Sequence, residues 1–353
     1  MKGLMLFFIM FGLFATLGND NDKPAIIEET PVIEEQQPVV EQPVAEQPAV
    51  SNLSDPVIDK DAVYTAEIEK IMEIGQEREI PLYVKDGFIY YYTQEWNGEA
   101  YDLCLTKASV NSGVKSDEVV LFRNDPSSIS TNYVYPMKNG GYIGMGSSWG
   151  WDDDANYSEY LIKYDASGKM IDKKNVVETY PVDFNSTYFD KVSSDGSNLY
   201  VLYEGLDDDY NQFGGVLMFD ENLNYVKDVV GSFGACYCVG NDGLVYSIDG
   251  YRDELSVYNP KDDSTQLLGT DIPFTYYMYA GQGNEVLYGF DKLYSYNART
   301  RETVELFSFE DLGINLEICD TIYRDSDGNI VVLYACYTEP NTGIFKAVIK
   351  ASK

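Results

Sequence analysis

A chain of 353 residues with 44% hydrophobic residues and 31 tyrosines has enough apolar mass for a large β-rich core. Its formal net charge of −33 makes nucleic acid and anionic membrane surfaces unsuitable partners, because like charges repel one another. The sequence has no histidine, which excludes Ser-His and Cys-His nucleophile systems and all His-ligated zinc or iron sites.

The first 18 residues have the pattern of a signal peptide. Lys2 supplies the positive start, an apolar run extends from Leu4 to Leu17, and small residues precede a cleavage point before Asn19. A lipoprotein would have cysteine at position 19, so no lipid anchor is predicted. We expect a secreted protein, extracellular or associated with the cell envelope, with no transmembrane helix after cleavage.

Residues 19–58 form a low-complexity segment in which Glu-Gln-Pro occurs at 41–43 and again at 46–48. Repeated proline blocks helix and sheet, and the glutamate charges favour an extended chain. The segment is predicted to be a disordered stalk that holds the following domain away from a surface. A plain disordered N-terminus is the alternative.

From about residue 62 a short pattern recurs six times, at intervals of about 40 to 55 residues. Each occurrence is a glycine-containing turn followed by an apolar strand that is rich in tyrosine. Repeats of this period and strand content are typical of the blades of a β-propeller. The six turns contain Asp86-Gly87, Gly140-Gly141, Asp195-Gly196, Asp242-Gly243, Gln282-Gly283 and Asp327-Gly328.

A second set of turns follows in the middle repeats, where a strand ending in Tyr or Phe meets a polar turn and then another strand. These turns predict hairpins between the third and fourth strands, so that each repeat has four strands. The predicted fold for residues 62–353 is therefore an all-β, six-bladed propeller. The turns are Tyr164–Gly168, Phe219–Asn222, Tyr258–Asp262 and Tyr296–Ala298.

The last repeat offers only three strands, near 319–324, 329–336 and 344–350. A fourth strand is predicted at Tyr64–Ile74, where Ala66, Ile68 and Met72 alternate with polar residues. An N-terminal strand that completes the last blade would close the ring and protect both edges. The same stretch also has helical propensity, which leaves a helix as the alternative.

Residues 62–353 resemble the six-bladed propellers of secreted or surface-attached bacterial proteins, including those found ahead of extracellular solute-binding modules. The resemblance rests on the repeated Asp-Gly-(apolar)-Tyr hairpins. It implies the fold and not the ligand. The sialidase Asp-box is not matched, because Ser193-Ser194-Asp195-Gly196 has a different spacing and no tryptophan follows.

The candidate ligand-binding residues lie in the long loops between the second and third strands of blades 1 to 3. In a propeller these loops and the blade-to-blade connections share one face, called the loop face here, and the tight hairpin turns share the other, the turn face. Trp beside carboxylates suits a sugar ring or a cationic group, although the Trp rings could instead cover their own loops. The candidates are Trp96, Glu99, Trp149, Trp151, Asp152, Asp154, Asp207, Asp209 and Tyr210.

The acidic runs 152–154 and 207–209 could supply oxygen ligands to Ca²⁺. Neither run has the spacing of a known calcium loop, and Asp325–Asn329 is better interpreted as a hairpin turn than as an EF-hand. No cofactor and no metal site are therefore assigned, and Ca²⁺ stays an alternative. Cys236 and Cys238, two of five cysteines, are predicted to be small apolar fillers without a disulfide framework.

These observations predict a non-catalytic, monomeric binding module that recognises a glycan or an extracellular protein or peptide through its loop face. One alternative is a carboxylate-dependent glycosidase or lyase, which needs two carboxyl groups roughly 5 to 10 Å apart. The other is a scaffold that joins envelope proteins. No catalytic residue is assigned.

Overall fold

The computed structural model describes residues 54–73, 80–85, 88–96, 101–111, 115–123, 130–137, 140–148, 158–176, 186–206, 212–231, 235–250, 252–338 and 342–352. Within them the chain forms 24 strands and one short 3-10 helix, Glu310–Leu312. The strands are β1 (Val63–Met72), β2 (Ile80–Lys85), β3 (Phe88–Trp96), β4 (Tyr101–Ser109), β5 (Lys115–Arg123), β6 (Ser130–Pro136), β7 (Tyr142–Ser148), β8 (Ser158–Tyr164), β9 (Met170–Asn175), β10 (Ser186–Ser194), β11 (Asn198–Leu206), β12 (Gln212–Asp220), β13 (Tyr225–Val230), β14 (Cys236–Val239), β15 (Val245–Asp249), β16 (Glu254–Asn259), β17 (Ser264–Gly269), β18 (Tyr277–Ala280), β19 (Glu285–Gly289), β20 (Lys292–Asn297), β21 (Glu302–Ser308), β22 (Ile318–Arg324), β23 (Ile330–Cys336) and β24 (Gly343–Ser352).

The described strands form six four-stranded sheets, and neighbouring strands in each are antiparallel. Blades 1 to 5 each use four consecutive strands, beginning with β2, β6, β10, β14 and β18. Blade 6 has the order β22-β23-β24-β1. The prediction of an all-β fold with four-stranded blades and a last blade completed from the N-terminus is confirmed.

The first strands of the six blades form a closed ring. β2 contacts β6, β6 contacts β10, β10 contacts β14, β14 contacts β18, β18 contacts β22, and β22 contacts β2. Radial sheets that meet at their first strands around an axis are the defining feature of a propeller. The ring is closed because β22 and β2, from opposite ends of the fold, are neighbours.

The repeated Asp-Gly-apolar-Tyr motif has a direct hydrogen-bonding basis. One carboxylate oxygen of Asp195 accepts the backbone N–H groups of Ser197 and Asn198 at 2.7 and 2.8 Å, and the other accepts the Tyr200 hydroxyl at 2.7 Å. In blade 4 the Tyr246 hydroxyl donates to Asp242 at 2.7 Å. The aspartate satisfies turn N–H groups and the tyrosine fixes the aspartate, so the motif builds a rigid first turn.

The four predicted hairpins between third and fourth strands are also confirmed, at β8–β9, β12–β13, β16–β17 and β20–β21. Asp165 accepts the N–H groups of Ser167 and Lys169 at 2.9 and 3.0 Å, and Gly168 has a φ of 82°. The aspartate carboxylate again accepts hydrogen bonds from N–H groups of the tight turn.

Strand β1 pairs with β24 over its whole length, from Val63 opposite Ser352 to Met72 opposite Ile344. This confirms the strand and excludes the helical alternative for these residues. The predicted one-sided burial is only partly correct, since Met72 is buried but Ile68 is 42% exposed. β1 is the outermost strand of its blade, and a bulge between Lys70 and Met72 changes the alternation.

The core lies mainly between neighbouring blades. Tyr200 and Val216 of blade 3 pack with Tyr237 and Val245 of blade 4 in one buried cluster. Cys236 and Cys238 of blade 4 pack with Val286 and Tyr288 of blade 5 in another. Both cysteines are buried and unpaired, as predicted, and burial raises the pKa of each thiol to about 12. They act as apolar filler.

Two polar contacts also join neighbouring blades. Arg324 of blade 6 forms a two-pronged ion pair with Glu285 of blade 5, at 2.6 and 2.7 Å. The two side chains are 11% and 1% exposed. Ser295 donates a further hydrogen bond to Glu285 at 2.7 Å, so the buried carboxylate is well satisfied.

Lys191 of β10 connects three first strands. Its ammonium group donates to the backbone oxygens of Tyr237 in β14 and Met278 in β18, at 3.0 and 3.1 Å. It also lies 5.3 Å from the Tyr237 ring centroid and 5.0 Å from that of Tyr279. One partly buried cation therefore ties blades 3, 4 and 5 together.

Replacing Glu285 with Gln should destabilise the domain by about 3 kcal/mol, because it leaves the Arg324 guanidinium buried without its counter-charge. Urea unfolding measures the difference. The matched control is Glu305→Gln, which removes the partner of Lys292 in an ion pair whose side chains are 45% and 49% exposed. The control should leave the midpoint unchanged. Equal midpoints for all three proteins would contradict a stabilising role for the buried pair.

Asp195 predicts a specific pH dependence. Burial raises its pKa, but hydrogen bonds from Asn198, Tyr200 and Ser197 outweigh this, and the net pKa is below the usual value. The unfolded chain therefore takes up the proton first as pH falls, so the stability that Asp195 contributes at neutral pH is lost below about pH 5.

Asp195→Asn should lower the free energy of unfolding at pH 7 by about 1 kcal/mol, a figure reduced for partial exposure. Between pH 7 and pH 3 the variant should then lose less stability than the wild type. Urea titrations at both pH values measure this, with Tyr200→Phe expected to be intermediate. Parallel losses in wild type and Asp195→Asn would contradict the assignment.

Candidate functional site

The three long loops singled out from the sequence connect second and third strands, as predicted. Their flanking strand ends pair as Trp96 with Tyr101, Ser148 with Ser158, and Leu206 with Gln212. The strand ends that carry these loops belong to adjacent blades 1, 2 and 3 and lie at the loop face. The side chain of Trp96 lies outside the described part of the structure, as do Glu99, Trp149, Trp151, Asp152, Asp154, Asp207, Asp209 and Tyr210, so their roles stay predictions.

Among the described residues, blade 5 presents a group of exposed aromatic side chains on the same face. Phe274 and Tyr276 lie in the connection from β17 to β18, and Phe290 lies in the short turn between β19 and β20. They are 60%, 53% and 40% exposed. These three residues are called the blade 5 aromatic patch.

The rings of the patch contact one another edge to face. The Phe274 and Phe290 centroids are 5.4 Å apart with an interplanar angle of 81°, and those of Tyr276 and Phe290 are 6.3 Å apart at 67°. Beneath them, the buried ring of Tyr277 stacks on Phe290 at 6.4 Å and 27°. Such aromatic pairs stabilise a structure by more than the burial of their area alone. The exposed rings are therefore held in a defined arrangement.

Backbone hydrogen bonds fix both segments that carry the patch. Ile272 donates to the carbonyl of Asp253 in blade 4 at 3.0 Å, and Tyr276 donates to that of Gly289 in blade 5 at 2.9 Å. A Cβ at Gly289 would lie 1.8 Å from the Lys292 carbonyl oxygen, so only glycine fits this turn. The patch is therefore preorganised on the scaffold.

The surroundings of the patch are acidic. Asp271 precedes it, Asp291 directly follows Phe290, and Glu310 and Asp311 form the 3-10 helix that leaves blade 5; all four are exposed. The nearby cation Lys292 is bonded to Glu305 at 2.7 Å. The local charge has the same sign as that of the whole chain.

Blade 6 adds a further exposed aromatic residue, Tyr337, in the loop between β23 and β24. Its backbone N–H donates to Glu317 at 2.5 Å, and the Cys336 thiol donates to the same carboxylate at 3.4 Å. Burial raises the pKa of Glu317, but hydrogen bonds from Thr338, Tyr337 and Cys336 outweigh this, so the net pKa is lowered. Burial raises the pKa of Cys336, which keeps the thiol protonated and makes it a poor nucleophile.

The N-terminal segment is attached to the opposite face. Asp55 accepts hydrogen bonds from the backbone N–H and side chain of Asn284, at 3.1 and 2.7 Å, and pairs with Arg299 at 2.6 Å. Gln282 donates to the Ser54 carbonyl at 3.0 Å. A Cβ at Gly283 would lie 2.8 Å from the Asp55 carboxylate, which explains this glycine.

These contacts place residues 54 and 55, predicted from the sequence to belong to the stalk, against the turns of blade 5. Burial raises the pKa of Asp55, but hydrogen bonds from Asn297 and Asn284 and the charge of Arg299 hold the net pKa below its usual value. Val63 and Ser352 pair at the same face. Both ends of the described domain therefore lie at the turn face.

The described residues contain no group of three or more Cys, Asp or Glu side chains that could hold a metal ion. In the same part of the chain, no helix has the length and apolar character needed to cross a membrane.

No protein-family model matches the sequence, and the comparison with curated proteins finds no match. Similar solved structures are found. The PQQ-bound aldose sugar dehydrogenase of Streptomyces coelicolor is 9% identical, with a TM-score of 0.47 over 81% of this chain and 99% of that chain. The apo aldose sugar dehydrogenase of Escherichia coli is 10% identical, with a TM-score of 0.46 and coverages of 81% and 99%.

The calcium-binding protein regucalcin of Agrobacterium tumefaciens is 12% identical, with a TM-score of 0.45 over 84% of this chain and 93% of that chain. Likenesses at these identities and TM-scores carry no conclusion about activity or ligand. The assignment of the fold rests on the six sheets and the closed ring of first strands.

The blade 5 aromatic patch is absent from the residues predicted from the sequence. The predicted site consists of tryptophan and acidic residues in long loops, whereas the patch consists of Phe and Tyr in two short connections. A signal was present in Phe274-Thr275-Tyr276-Tyr277, where three aromatic residues occur within four positions, shortly before the Gln282-Gly283 turn. Their exposure depends on the pairing of β18 with β19, which the spacing alone does not give.

Asp55→Ala should release the segment before β1, so that the chain around Lys60 can adopt the extended conformation that trypsin cleaves. Cleavage after Lys60 should become roughly ten-fold faster, because local opening exposes a bond that the attached segment protects. Mass spectrometry of timed digests measures the rate, with an added synthetic peptide that contains one trypsin site as the reference. An unchanged ratio of the two rates would contradict the attachment of this segment through Asp55.

Proposed function

We propose that this protein is a secreted, non-catalytic binding module that recognises an extracellular ligand through the loop face of its propeller. The observation that carries the proposal is the blade 5 aromatic patch, three exposed and mutually packed rings at the loop face. Single exposed apolar residues are common in soluble proteins, but contiguous aromatic groups mark binding surfaces.

The position of the patch also supports binding. Both ends of the described domain lie at the turn face, where Val63 pairs with Ser352 and Asp55 contacts blade 5. With a stalk predicted before residue 54, the loop face lies opposite the point at which the stalk joins the domain. Ligands in the medium would then reach it without obstruction.

The alternative of a carboxylate-dependent glycosidase or lyase finds no support among the described carboxyl groups. A general acid in such an enzyme needs a raised pKa. Six described carboxyl groups have a pKa that clearly departs from the usual value. In each of them the pKa is lowered, and hydrogen bonds to the carboxylate are among the causes. They are Asp55, Asp165, Asp195, Asp220, Asp263 and Glu317.

The test blocks each face in turn. Ligands are first isolated on the wild-type chain from a glycan array and from a random dodecapeptide phage library. Asp311→Cys places a thiol on the loop face and Glu221→Cys places one on the turn face, each replacing an exposed acidic residue. Each thiol is then coupled to a bulky polyethylene glycol, with reagent-treated wild type as the control.

Coupling at position 311 should weaken ligand binding at least about ten-fold, whereas coupling at position 221 should leave it unchanged. Binding is measured by biolayer interferometry. Ligands that are blocked from the turn face but not from the loop face would contradict the proposal. Trp149→Ala/Trp151→Ala in the same assay tests whether the long loop of blade 2 takes part.

A further inference from the structure

We infer that the blade 5 aromatic patch is a docking site for a basic polypeptide segment that also carries apolar side chains. The inference rests on the proposed function and names the partner chemistry of one part of the loop face. It assigns this binding to Phe274, Tyr276 and Phe290.

The geometry of the rings favours side chains over sugar rings. A sugar stacks on a flat aromatic face and takes hydrogen bonds from polar groups beside it. Here Phe274 and Tyr276 meet Phe290 at 81° and 67°, so the three rings form no common plane. Two of the three rings are phenylalanines, which have no polar tip. Exposed rings in an edge-to-face arrangement instead present apolar edges and faces against which aliphatic or aromatic side chains of a polypeptide can pack.

The charge around the patch determines which sign of charge on a partner is favoured. Asp271, Asp291, Glu310 and Asp311 are exposed at the same face, and the adjacent Lys292 is already engaged by Glu305. The chain as a whole has a formal net charge of −33. Complementary potentials accelerate association and suppress wrong partners, so a positively charged segment is favoured. A second copy of this chain would bring like charges together.

The rigidity of the patch favours binding without a large ordering cost. Tyr276 is bonded to Gly289 across the two segments at 2.9 Å, Ile272 is bonded to Asp253 at 3.0 Å, and Phe290 rests on the buried Tyr277. Side chains that are already fixed lose little conformational entropy when a partner docks. The backbone N–H groups of Ile272 and Tyr276 are used in these internal bonds and are not offered to a partner.

The probes are three synthetic, fluorescein-labelled dodecapeptides. The first repeats Lys-Leu-Lys-Ser and is basic and apolar, the second repeats Glu-Leu-Glu-Ser and is acidic and apolar, and the third repeats Lys-Ser and is basic only. Fluorescence anisotropy with the full chain measures their dissociation constants. The first probe should bind at least about ten-fold more tightly than either of the others, and more weakly as salt is added.

The patch variant is Phe274→Ser/Tyr276→Ser/Phe290→Ser, and its matched control is Ile171→Ser/Val226→Ser/Leu267→Ser, which changes three exposed apolar residues on outer strands. The patch variant should bind the first probe about ten-fold or more weakly, and the control should bind like the wild type. Phe274→Ser alone, at the most exposed ring, gives a second reading if the triple variant unfolds. Circular dichroism checks folding.

The acidic surroundings are tested separately. Asp271→Asn/Asp291→Asn should weaken binding of the first probe about three-fold or more and should make that binding less dependent on salt. The control Glu221→Gln/Glu302→Gln removes the same charge from exposed positions at the turn face and should have no such effect. Equal effects of the two pairs would show a diffuse attraction to an acidic protein and would overturn the assignment to the patch.

Other outcomes separate this inference from the proposed function. Equal binding of the first probe by wild type and patch variant overturns the inference. A glycan whose capture depends on the patch, without tight binding of the basic apolar probe, overturns the polypeptide chemistry and leaves the proposed function standing. Self-association in sedimentation velocity that the patch variant abolishes also overturns it, in favour of a second copy. If polyethylene glycol coupled at position 311 on the loop face does not weaken ligand binding, both the inference and the proposed function are overturned.

Discussion

The pairing of β1 with β24 is the constraint on which the rest of the structure depends. It joins residues nearly 300 positions apart, from Val63 opposite Ser352 to Met72 opposite Ile344, and it completes blade 6. Because β1 leads directly into blade 1, the pairing also brings β2 beside β22 and closes the ring. Closing so long a loop costs conformational entropy, which a ten-residue strand pairing and the buried contacts between blades offset.

Closure divides the molecule into two chemically different faces. In each antiparallel blade, the turns between first and second strands and between third and fourth strands lie at one side. The connections between second and third strands, and those between blades, lie at the other. The turn face receives the aspartate-capped turns, the chain ends and the Asp55 contacts with blade 5. The loop face receives the exposed aromatic rings and acidic residues of blade 5. The functional proposal follows from this separation, since the exposed rings lie away from the attachment of the N-terminal segment.

The repeat was predictable because its signals are local. A turn aspartate, a glycine with positive φ and a tyrosine four or five residues later are fixed by hydrogen bonds within a single hairpin, as with Asp195 and Tyr200. The contacts between blades were not predictable in this way. Glu285 and Arg324 are 39 positions apart, and nothing in their spacing indicates that two blades will join them. The exposure of Ile68 likewise reflects the position of β1 as the outermost strand of blade 6, which the alternation alone does not give.

The candidate site was less predictable than the fold for the same reason. The sequence directs attention to rare residues in long loops, such as Trp149 and Trp151, whose part in binding stays a prediction. The blade 5 aromatic patch combines Phe290 with Phe274 and Tyr276 from a different connection, joined through the Tyr276–Gly289 hydrogen bond. An alternating aromatic pattern gives the residue types. Only the register of β18 against β19 determines which rings are buried, as Tyr277 is, and which are exposed.

The most direct test of this account is a disulfide across the closing strands. Thr65 and Lys350 are directly opposite each other and exposed, so Thr65→Cys/Lys350→Cys should form a disulfide in the folded chain, identified by peptide mapping, and should raise the melting temperature. Thr65→Cys/Lys346→Cys, displaced by four residues or roughly 13 Å along β24, should not cross-link. Failure of the first pair to cross-link, or equal cross-linking of both, would contradict the closed ring.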